Sequence, residues 1–415
     1  MNARTLLRHS LRVAAASAVI AAGLALDIQR GEAHKAITSK YTYNDDVFPI
    51  FRERCSRCHV PGGVAPMSLM TYDEAFPWAE SIRAELVAAH MPPWNADDGF
   101  GELKRAHTLT SKELDVIMTW ASGGNPRGAL DQKLPEVTLK NEWVMGAPDL
   151  ALKLPSEVTV AADKMEETQE LTLATGLTEA RWVRAVDLLP GTPSIVRSAV
   201  IALKGATPAT GSTPAPDRVL ARWVPGHDPE PIEGAAFKLP AGAELVARIH
   251  YKKTWQFEGK PLSDRSTIGI YFAPGRDARE LLTVPITSPA LPGPDALDRV
   301  VKFSYTIADD VQALALSPDQ VPPNITLQVE AVKPDGSRAP MIRLNTRADW
   351  DRRYWFERPL ALPRGTKVEV TARLEDPDVL SAAFSAAAPS RTAPAVSTVR
   401  LALNVIPAHA RPAAP

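Results

Sequence analysis

The feature that most constrains this chain is the run Cys55-Ser56-Arg57-Cys58-His59, which has the spacing Cys-x-x-Cys-His. In this pattern two thiols form thioethers with the vinyl groups of a haem, and the adjoining imidazole binds the iron. One short loop then fixes both the porphyrin and the metal. We predict a covalent c-type haem bound by Cys55, Cys58 and His59, with His59 as an iron ligand.

Two other uses of a Cys-x-x-Cys pair agree less well with the surrounding sequence. A thioredoxin-like redox pair opens a helix after a strand, whereas this pair follows the segment Asn44 to Arg54, which has the pattern of a helix. A zinc site needs more ligands, and the chain has only 2 cysteines, so histidine would have to complete it. Haem attachment is therefore the favoured interpretation.

The N-terminus has the pattern of a secretory signal peptide. Arginines at positions 4, 8 and 12 precede an apolar, alanine-rich run from Val13 to Leu26, which is short for a transmembrane span. We predict a signal peptide over residues 1–33 and a periplasmic or otherwise exported bacterial protein. An uncleaved segment would instead anchor the chain in the membrane. Export agrees with covalent haem attachment, and no further cysteine is left for a disulfide.

Composition and charge exclude several classes of protein. The net charge is −1, 45% of the residues are hydrophobic and 23% are charged. This is an ordinary globular composition, without the basic surface that binds nucleic acid or anionic membranes. The length of 415 residues predicts two or three domains.

Residues 40–128 have helical patterning on both sides of the haem motif. Two Thr-x-x-Glu capping boxes, at residues 71–74 and 110–113, predict a helix over about 72–90 and a second helix that a Gly-Gly pair ends. The second helix places four apolar side chains on one face: Leu114, Ile117, Met118 and Ala121. Together with the helix before Cys55, they predict a small all-α cytochrome c domain.

A c-type haem of this kind has a methionine or a second histidine as its other axial ligand. The candidates in the domain are Met67, Met70, Met91, Met118, His90 and His107. We favour Met91, because it lies where a helix ends and an extended Pro-Pro segment begins, which can carry a thioether to the opposite face of the haem. Met118 is expected in the core, since it lies on the apolar face of its helix. Met67 is the second choice.

Beyond residue 142 the apolar period changes to two, the value for strands. Residues 245–251 and 367–374 alternate in this way, and Thr326 to Leu344 has the pattern of a hairpin folded at Pro334-Asp335-Gly336. Short strands with Gly/Pro turns are typical of antiparallel sandwiches, and a proline-rich break at 285–295 divides the stretch. We predict a multidomain chain in which the α domain at 40–128 is followed by a linker at 129–142, an all-β double sandwich at 143–285 and 296–408, and a tail at 409–415.

The first of these sandwiches carries a series of short motifs rich in tryptophan, proline and glycine. They are Trp182-Val183-Arg184-Ala185-Val186, Pro190-Gly191, Trp223-Val224-Pro225-Gly226, Leu239-Pro240-Ala241-Gly242, Ile249-His250-Tyr251 and Asp264-Arg265-Ser266-Thr267-Ile268-Gly269. The series resembles copper type II, ascorbate-dependent monooxygenases of the peptidylglycine hydroxylating kind, which have a double β-sandwich. It resembles more closely their bacterial relatives with a cytochrome c domain in front. The resemblance covers nearly all of the chain after the signal peptide.

This resemblance implies two copper sites, but most of their usual ligands are missing here. The family uses a His-His pair and one further His in the first sandwich, and a His-x-His with a Met in the second. No methionine follows Met341, and only His250 is retained, as a possible vestigial copper ligand. The other positions that correspond to copper ligands are Arg197, Ser198, Asp319 and Val321.

A count of histidines, made without the family, agrees with this. Between residues 128 and 408 only His227 and His250 are histidines. Two imidazoles cannot supply the five that the resemblance implies for two copper sites. We therefore predict haem c as the cofactor and do not expect copper.

These patterns predict an exported mono-haem c-type cytochrome that carries out one-electron transfer with an unidentified redox partner protein. The β-sandwiches would form a degenerate, monooxygenase-like module used for docking, and no residue is assigned a catalytic role. One alternative is a haem-fed, copper-dependent monooxygenase that uses His250 with unusual ligands. Another is a haem sensor or a structural subunit.

Overall fold

The computed structural model describes residues 38–104, 108–205, 217–226, 229–274, 278–292, 299–323, 325–346, 350, 352–374 and 398–408. The predicted signal peptide at 1–33, the predicted tail at 409–415, and the histidines His107 and His227 lie outside the described residues. Most of the regular structure is β-sheet, preceded by a smaller helical part.

The helical part has three helical segments within the described ranges. The first, α1, runs without a break through Tyr43–Val47, Phe48–Ile50 and Phe51–Cys55, with wide π-type turns at both ends. The second, α2, comprises Tyr72–Ala75, Phe76–Trp78 and Ala79–Val87, and the third, α3, spans Ser111–Ser122. Among the described residues no helix is long and apolar enough to cross a membrane.

The ends of these helices follow from the local sequence. In both predicted capping boxes, at residues 71–74 and 110–113, the threonine hydroxyl accepts a hydrogen bond from the backbone N–H three residues on. Pro77 lies in the tight 3-10 turn that interrupts α2. The predicted helices are confirmed, although α2 ends at Val87 rather than at His90.

An aromatic cluster holds the helices of this part together. Trp120 of α3 packs against Tyr43 and Phe51 of α1, with ring centroids 6.0 Å and 6.4 Å away. Because this large indole faces the cluster, the buried face of α3 differs from the predicted one, and Leu114 is 38% exposed. The side chains that α3 buries are Val116, Ile117, Trp120 and Ala121.

The rest of the described chain forms strands, numbered here in chain order. They are β1 (Leu150–Lys153), β2 (Val158–Val160), β3 (Glu166–Ala174), β4 (Arg181–Leu189), β5 (Val196–Leu203), β6 (Arg218–Trp223), β7 (Ala235–Leu239), β8 (Glu244–Lys252), β9 (Leu262–Asp264), β10 (Thr267–Phe272), β11 (Arg279–Glu280), β12 (Leu282–Thr287), β13 (Val300–Thr306), β14 (Val311–Gln320), β15 (Ile325–Val332), β16 (Arg338–Asn345), β17 (Tyr354–Leu362), β18 (Lys367–Leu374) and β19 (Arg400–Pro407).

Strands β1 to β11 form a first β unit built around one apolar core. Its two larger sheets have the orders β1-β10-β4-β7-β11 and β3-β8-β5-β6, and β2 pairs separately with β9. The alternation predicted at 245–251 is confirmed in β8 except at Val246, which is buried; Leu245, Ala247, Ile249 and Tyr251 are buried and Arg248 is exposed. Two sheets that share a core in this way make the unit sandwich-like.

Strands β12 to β19 form a second β unit around a core of its own. Its sheets have the orders β12-β19-β14-β17 and β13-β18-β15-β16. The predicted hairpin is confirmed as β15 and β16, which pair antiparallel across the Pro334-Asp335-Gly336 turn. Strand β12 contains Pro285 and pairs with β19, so the change of unit occurs at Leu282, ahead of the boundary predicted at residue 285.

Residues 94–104, which we term the docking segment, connect the helical part to the second β unit. Backbone bridges join Ala96 to Leu344 of β16 and Leu103 to Phe356 of β17, so the segment pairs with the outer strands of both sheets. The side chains of Ala96 and Leu103 are buried in the core of that unit. Because Met91 comes just before this segment, the pairing also fixes the position of Met91.

One glycine of the docking segment is required by a close backbone contact. Gly101 has φ +80°, and a Cβ there would lie 2.0 Å from the carbonyl oxygen of Met341 in β16. A side chain at this position would push the segment off the sheet.

Replacing Gly101 by Ala should therefore loosen the docking segment. We expect a loss of about 3 kcal/mol or more in the free energy of unfolding, measured by urea denaturation. Gly99→Ala is the matched control, because Gly99 has φ +78° and a Cβ added there would have no heavy atom within 4 Å; it should cost about 1 kcal/mol from backbone strain alone. Equal losses for the two variants would contradict the docking geometry.

Candidate functional site

The Cys-x-x-Cys-His loop is a compact turn at the C-terminal end of α1. The backbone N–H groups of Cys58 and His59 donate to the carbonyl oxygen of Cys55, at 3.1 Å and 2.8 Å. Gly63 packs onto the loop, and a Cβ there would lie 2.3 Å from the carbonyl oxygen of Cys58. The loop therefore holds its two sulfurs and its imidazole in one place.

His59 has the hydrogen bonding expected of a metal ligand. Its Nδ1 lies 3.2 Å from the carbonyl oxygen of Met67; donating a proton there leaves the lone pair on Nε2. Burial lowers the pKa of His59, and the hydrogen bond to Met67 opposes that shift only in part. The imidazole is therefore neutral near pH 7, the form that binds a metal.

The two thiols have the electrostatics of buried groups. Burial raises the pKa of Cys55 to about 12, with a further contribution from Cys58. Burial also raises the pKa of Cys58 to about 11, against the opposing charges of Arg197, Arg352 and Arg57. Reactive redox thiols have lowered pKa values, so this environment does not favour the thioredoxin-like alternative. No cluster of three or more His, Cys, Asp or Glu that could hold a metal occurs within the described ranges.

The loop lines a cavity of about 360 Å³ between the helical part and both β units. This volume lies in the range of small-molecule and cofactor sites, roughly 300–1,000 Å³. Cys55, Cys58, His59, Met67 and Met91 all line it, so the structure brings together the residues predicted to bind the haem.

The other described candidates for the sixth ligand lie elsewhere. Met70 is buried in the helical core, and neither Met118 nor His90 lines the cavity. His90 pairs instead with Glu85, whose Oε2 lies 3.0 Å from its Nδ1. The choice within the described residues is therefore between Met67 and Met91.

The first β unit closes the cavity with the turn that follows β6. Cys58 Sγ lies 3.9 Å from the carbonyl oxygen of Pro225. Gly226 has φ +73°, and a Cβ there would lie 3.1 Å from Arg57 Cβ and 3.6 Å from Cys58 Sγ. This close packing places the β unit directly against the Cys-x-x-Cys-His loop.

Arg197 reaches the cavity because of a β-bulge in β5. Val196 pairs with Tyr251 and Ser198 pairs with His250, so Arg197 is the extra residue between them. Bulges redirect a side chain out of the regular alternation. Arg197 lines the cavity, and its guanidinium carbon lies 6.0 Å from the ring centroid of Trp350.

Arg352 enters the same cavity from the second β unit. It is only 6% exposed, its Nη2 donates to the carbonyl oxygen of Pro93 at 2.8 Å, and its guanidinium carbon lies 5.6 Å from the ring centroid of Trp94. Burial lowers its pKa. Sequence reasoning missed this residue and the cavity-facing role of Arg197, since neither lies in a local pattern that indicates a site.

The remaining residues that the sequence resemblance set at copper-ligand positions have structural partners. His250 Nδ1 lies 3.1 Å from Thr168 Oγ1 of β3, and Ser198 is directly opposite His250 in β5. Val321 packs against the second core. The structure thus brings Ser198 and His250 together on one sheet.

Asp319 is also a bulge residue and joins the two β units. It is the extra residue in β14, where the pairing with β19 shifts between Pro318 and Gln320. Its carboxylate lies 2.7 Å from Arg222 of β6 and 2.5 Å from Arg400 of β19. The side chain of Arg222 is only 5% exposed, so Asp319 neutralises a buried cation of the first unit.

Comparisons with known proteins do not assign the chain to a family. No family model matches it, and no curated protein matches it. The crystal structure of PBSX exported protein XepA is 10% identical, with 57% of this chain and 89% of that chain covered and a TM-score of 0.16. The CBM22-1-CBM22-2 tandem domain of Paenibacillus barcinonensis Xyn10C is 10% identical, with 68% and 100% covered and a TM-score of 0.14. Similarities at these TM-scores carry no argument about fold or function.

The ion pairs of Asp319 give a prediction about the contact between the β units. Asp319→Asn should lower the free energy of unfolding by about 3 kcal/mol, because it removes the carboxylate that pairs with the buried charge of Arg222. Glu369→Gln is the control, since its partner Arg338 is 51% exposed and a solvated ion pair contributes little. Urea unfolding of both variants measures the difference. An unchanged free energy of unfolding in Asp319→Asn would contradict the described contact.

Proposed function

We propose that the protein is an exported, mono-haem c-type cytochrome that transfers single electrons to and from a redox partner protein. The observation that carries this proposal is the convergence of Cys55, Cys58, His59 and a methionine on one cavity. A haem bound there supplies one-electron iron chemistry. The predicted export of the chain belongs to the same proposal.

The residues present fit this cofactor in three respects. The imidazole of His59 is oriented through Nδ1 by a backbone carbonyl, the usual outer partner of a metal-bound histidine. The cavity is lined mainly by apolar side chains, which exclude water from a porphyrin. Arg352 places a buried cation in the lining, which suits a ligand with negative charges at its edge.

Met91 is proposed as the ligand opposite His59. The carbonyl oxygen of Met67 accepts the hydrogen bond of His59 Nδ1, so the Met67 backbone lies on the side of the imidazole that points away from Nε2. Met91 comes from a separate segment, just before the docking segment, and lines the same cavity. A thioether there would stabilise the ferrous state and raise the reduction potential.

The two sandwich-like β units support the proposed relationship to copper type II monooxygenases at the level of architecture. In the resemblance, Ser198 and His250 both stand at positions of copper ligands in the first sandwich. Their pairing across β5 and β8 supports that correspondence. A guanidinium and a hydroxyl, at Arg197 and Ser198, are poor copper ligands. We therefore propose that the β units do not hold copper and instead dock the redox partner protein.

Covalent attachment is tested by the retention of haem. The exported protein, denatured and extracted with acid acetone, should keep its haem and give a haem-staining band. Cys58→Ala should leave at most one thioether and retain much less haem. Ser56→Ala, in the same loop but without a sulfur, should behave as the natural chain. Complete extraction from the natural chain would contradict the proposal.

The axial methionine is tested by near-infrared spectroscopy of the ferric protein. Met91→Ala should abolish the weak charge-transfer band of a Met-ligated haem and lower the reduction potential, because the thioether is lost. Met118→Ala is the control, since Met118 does not line the cavity, and it should keep the band. A band that persists in Met91→Ala and disappears in Met67→Ala would identify Met67 as the ligand.

A further inference from the structure

The cavity has more positive than negative charge in its described lining. Four arginines contribute to it, whereas Glu85 is the only carboxylate among the described lining residues, and Glu85 already contacts His90 at 3.0 Å. Two of the four, Arg54 and Arg57, belong to the helical part. Arg54 pairs there with Glu113 of α3 at 3.0 Å. The arginines that the β units contribute are Arg197 and Arg352.

Arg352 is the most constrained of these cations. It is only 6% exposed, and its Nε is buried without a hydrogen-bond partner among the residues that the structure describes. Its Nη2 donates to a neutral group, the carbonyl oxygen of Pro93. A guanidinium does not lose its proton in a protein, so a buried arginine is costly unless an anion accompanies it.

Arg197 adds a second guanidinium from the other β unit. The β-bulge in β5 turns it out of the regular alternation of that strand, and it lies over Trp350, two residues before Arg352. Both arginines line the same cavity as Cys58 and His59, so both lie near the proposed haem-binding loop. Two guanidiniums in the lining of a mainly apolar cavity suit a flat, apolar ligand that carries carboxylates.

We propose that Arg197 and Arg352 bind the propionate carboxylates of the haem, so that each β unit contributes a cation to the cofactor site. This inference rests on the function proposed above. The planar fork of a guanidinium matches a carboxylate and forms paired, charge-assisted hydrogen bonds. The β units are then part of the cofactor site, and their cations favour the ferrous haem, which carries one positive charge less than the ferric form.

The test is a potentiometric titration of the full-length, exported holoprotein and its variants. Arg352→Gln and Arg197→Gln should each shift the reduction equilibrium about tenfold toward ferric haem, which lowers the midpoint potential by about 59 mV for one electron. Arg352→Lys keeps the charge and should recover most of the potential. The resonance Raman bending mode of the propionates, which responds to their hydrogen bonds, should move in both Gln variants.

Arg353→Gln is the matched control for damage to the fold. Arg353 is the neighbour of Arg352 and is also buried, at 8% exposure, but it donates to the carbonyl oxygens of Leu220 and Val219 at 2.9 Å and 3.1 Å. It does not line the haem cavity. Arg353→Gln should therefore lower stability and leave the midpoint potential and the propionate band unchanged.

The outcomes separate this inference from the proposed function. A natural chain without covalent haem would overturn both. Suppose that haem is covalent but that Arg352→Gln and Arg197→Gln keep the potential and the propionate band of the natural chain. This result would overturn the propionate assignment alone. Shifts no larger than those of Arg353→Gln would overturn it as well. If Arg352→Gln does not fold, Arg197→Gln on the other β unit and the charge-conserving Arg352→Lys decide the question.

Discussion

The pairing of the docking segment with the second β unit is the interaction on which the site depends. Residues 94–104 form backbone bridges to the outer strands of both sheets of that unit, and Arg352 donates to Pro93 just ahead of them. The same contact therefore places Met91 and Arg352 relative to His59. Met91 belongs to the helical part, but the segment that follows it is held by strands from another part of the chain.

The bulges at Arg197 and Asp319 show how one type of irregularity has two consequences. Each residue is an extra one in its strand, and each is thereby directed away from the core. Asp319 pairs with the buried Arg222 of the first unit and the partly exposed Arg400 of the second, and so joins the units. Arg197 turns to a cavity where cations exceed carboxylates. One bulge thus supports contact between the units, and the other, as we propose, contact with haem.

Local patterns in the sequence predicted the helices, the hairpin and the alternating strands, because capping boxes and apolar periods act over a few residues. The Cys-x-x-Cys-His loop was found in the same way. Arg352 was not predicted, because its role depends on the packing of the second β unit against Pro93 and Trp94, which lie far away in the sequence. The bulge at Arg197 was not predicted either, since it depends on the register with His250.

The central claim is that one haem iron lies between His59 and a methionine in the cavity that the helical part shares with the β units. A crystal of the exported protein, measured on both sides of the iron absorption edge, tests this most directly. The account predicts one iron peak within bonding distance of His59 Nε2 and Met91 Sδ, in density continuous with Cys55 and Cys58. An empty cavity, or a single metal peak that lies instead at His250 and has the copper edge, would contradict it.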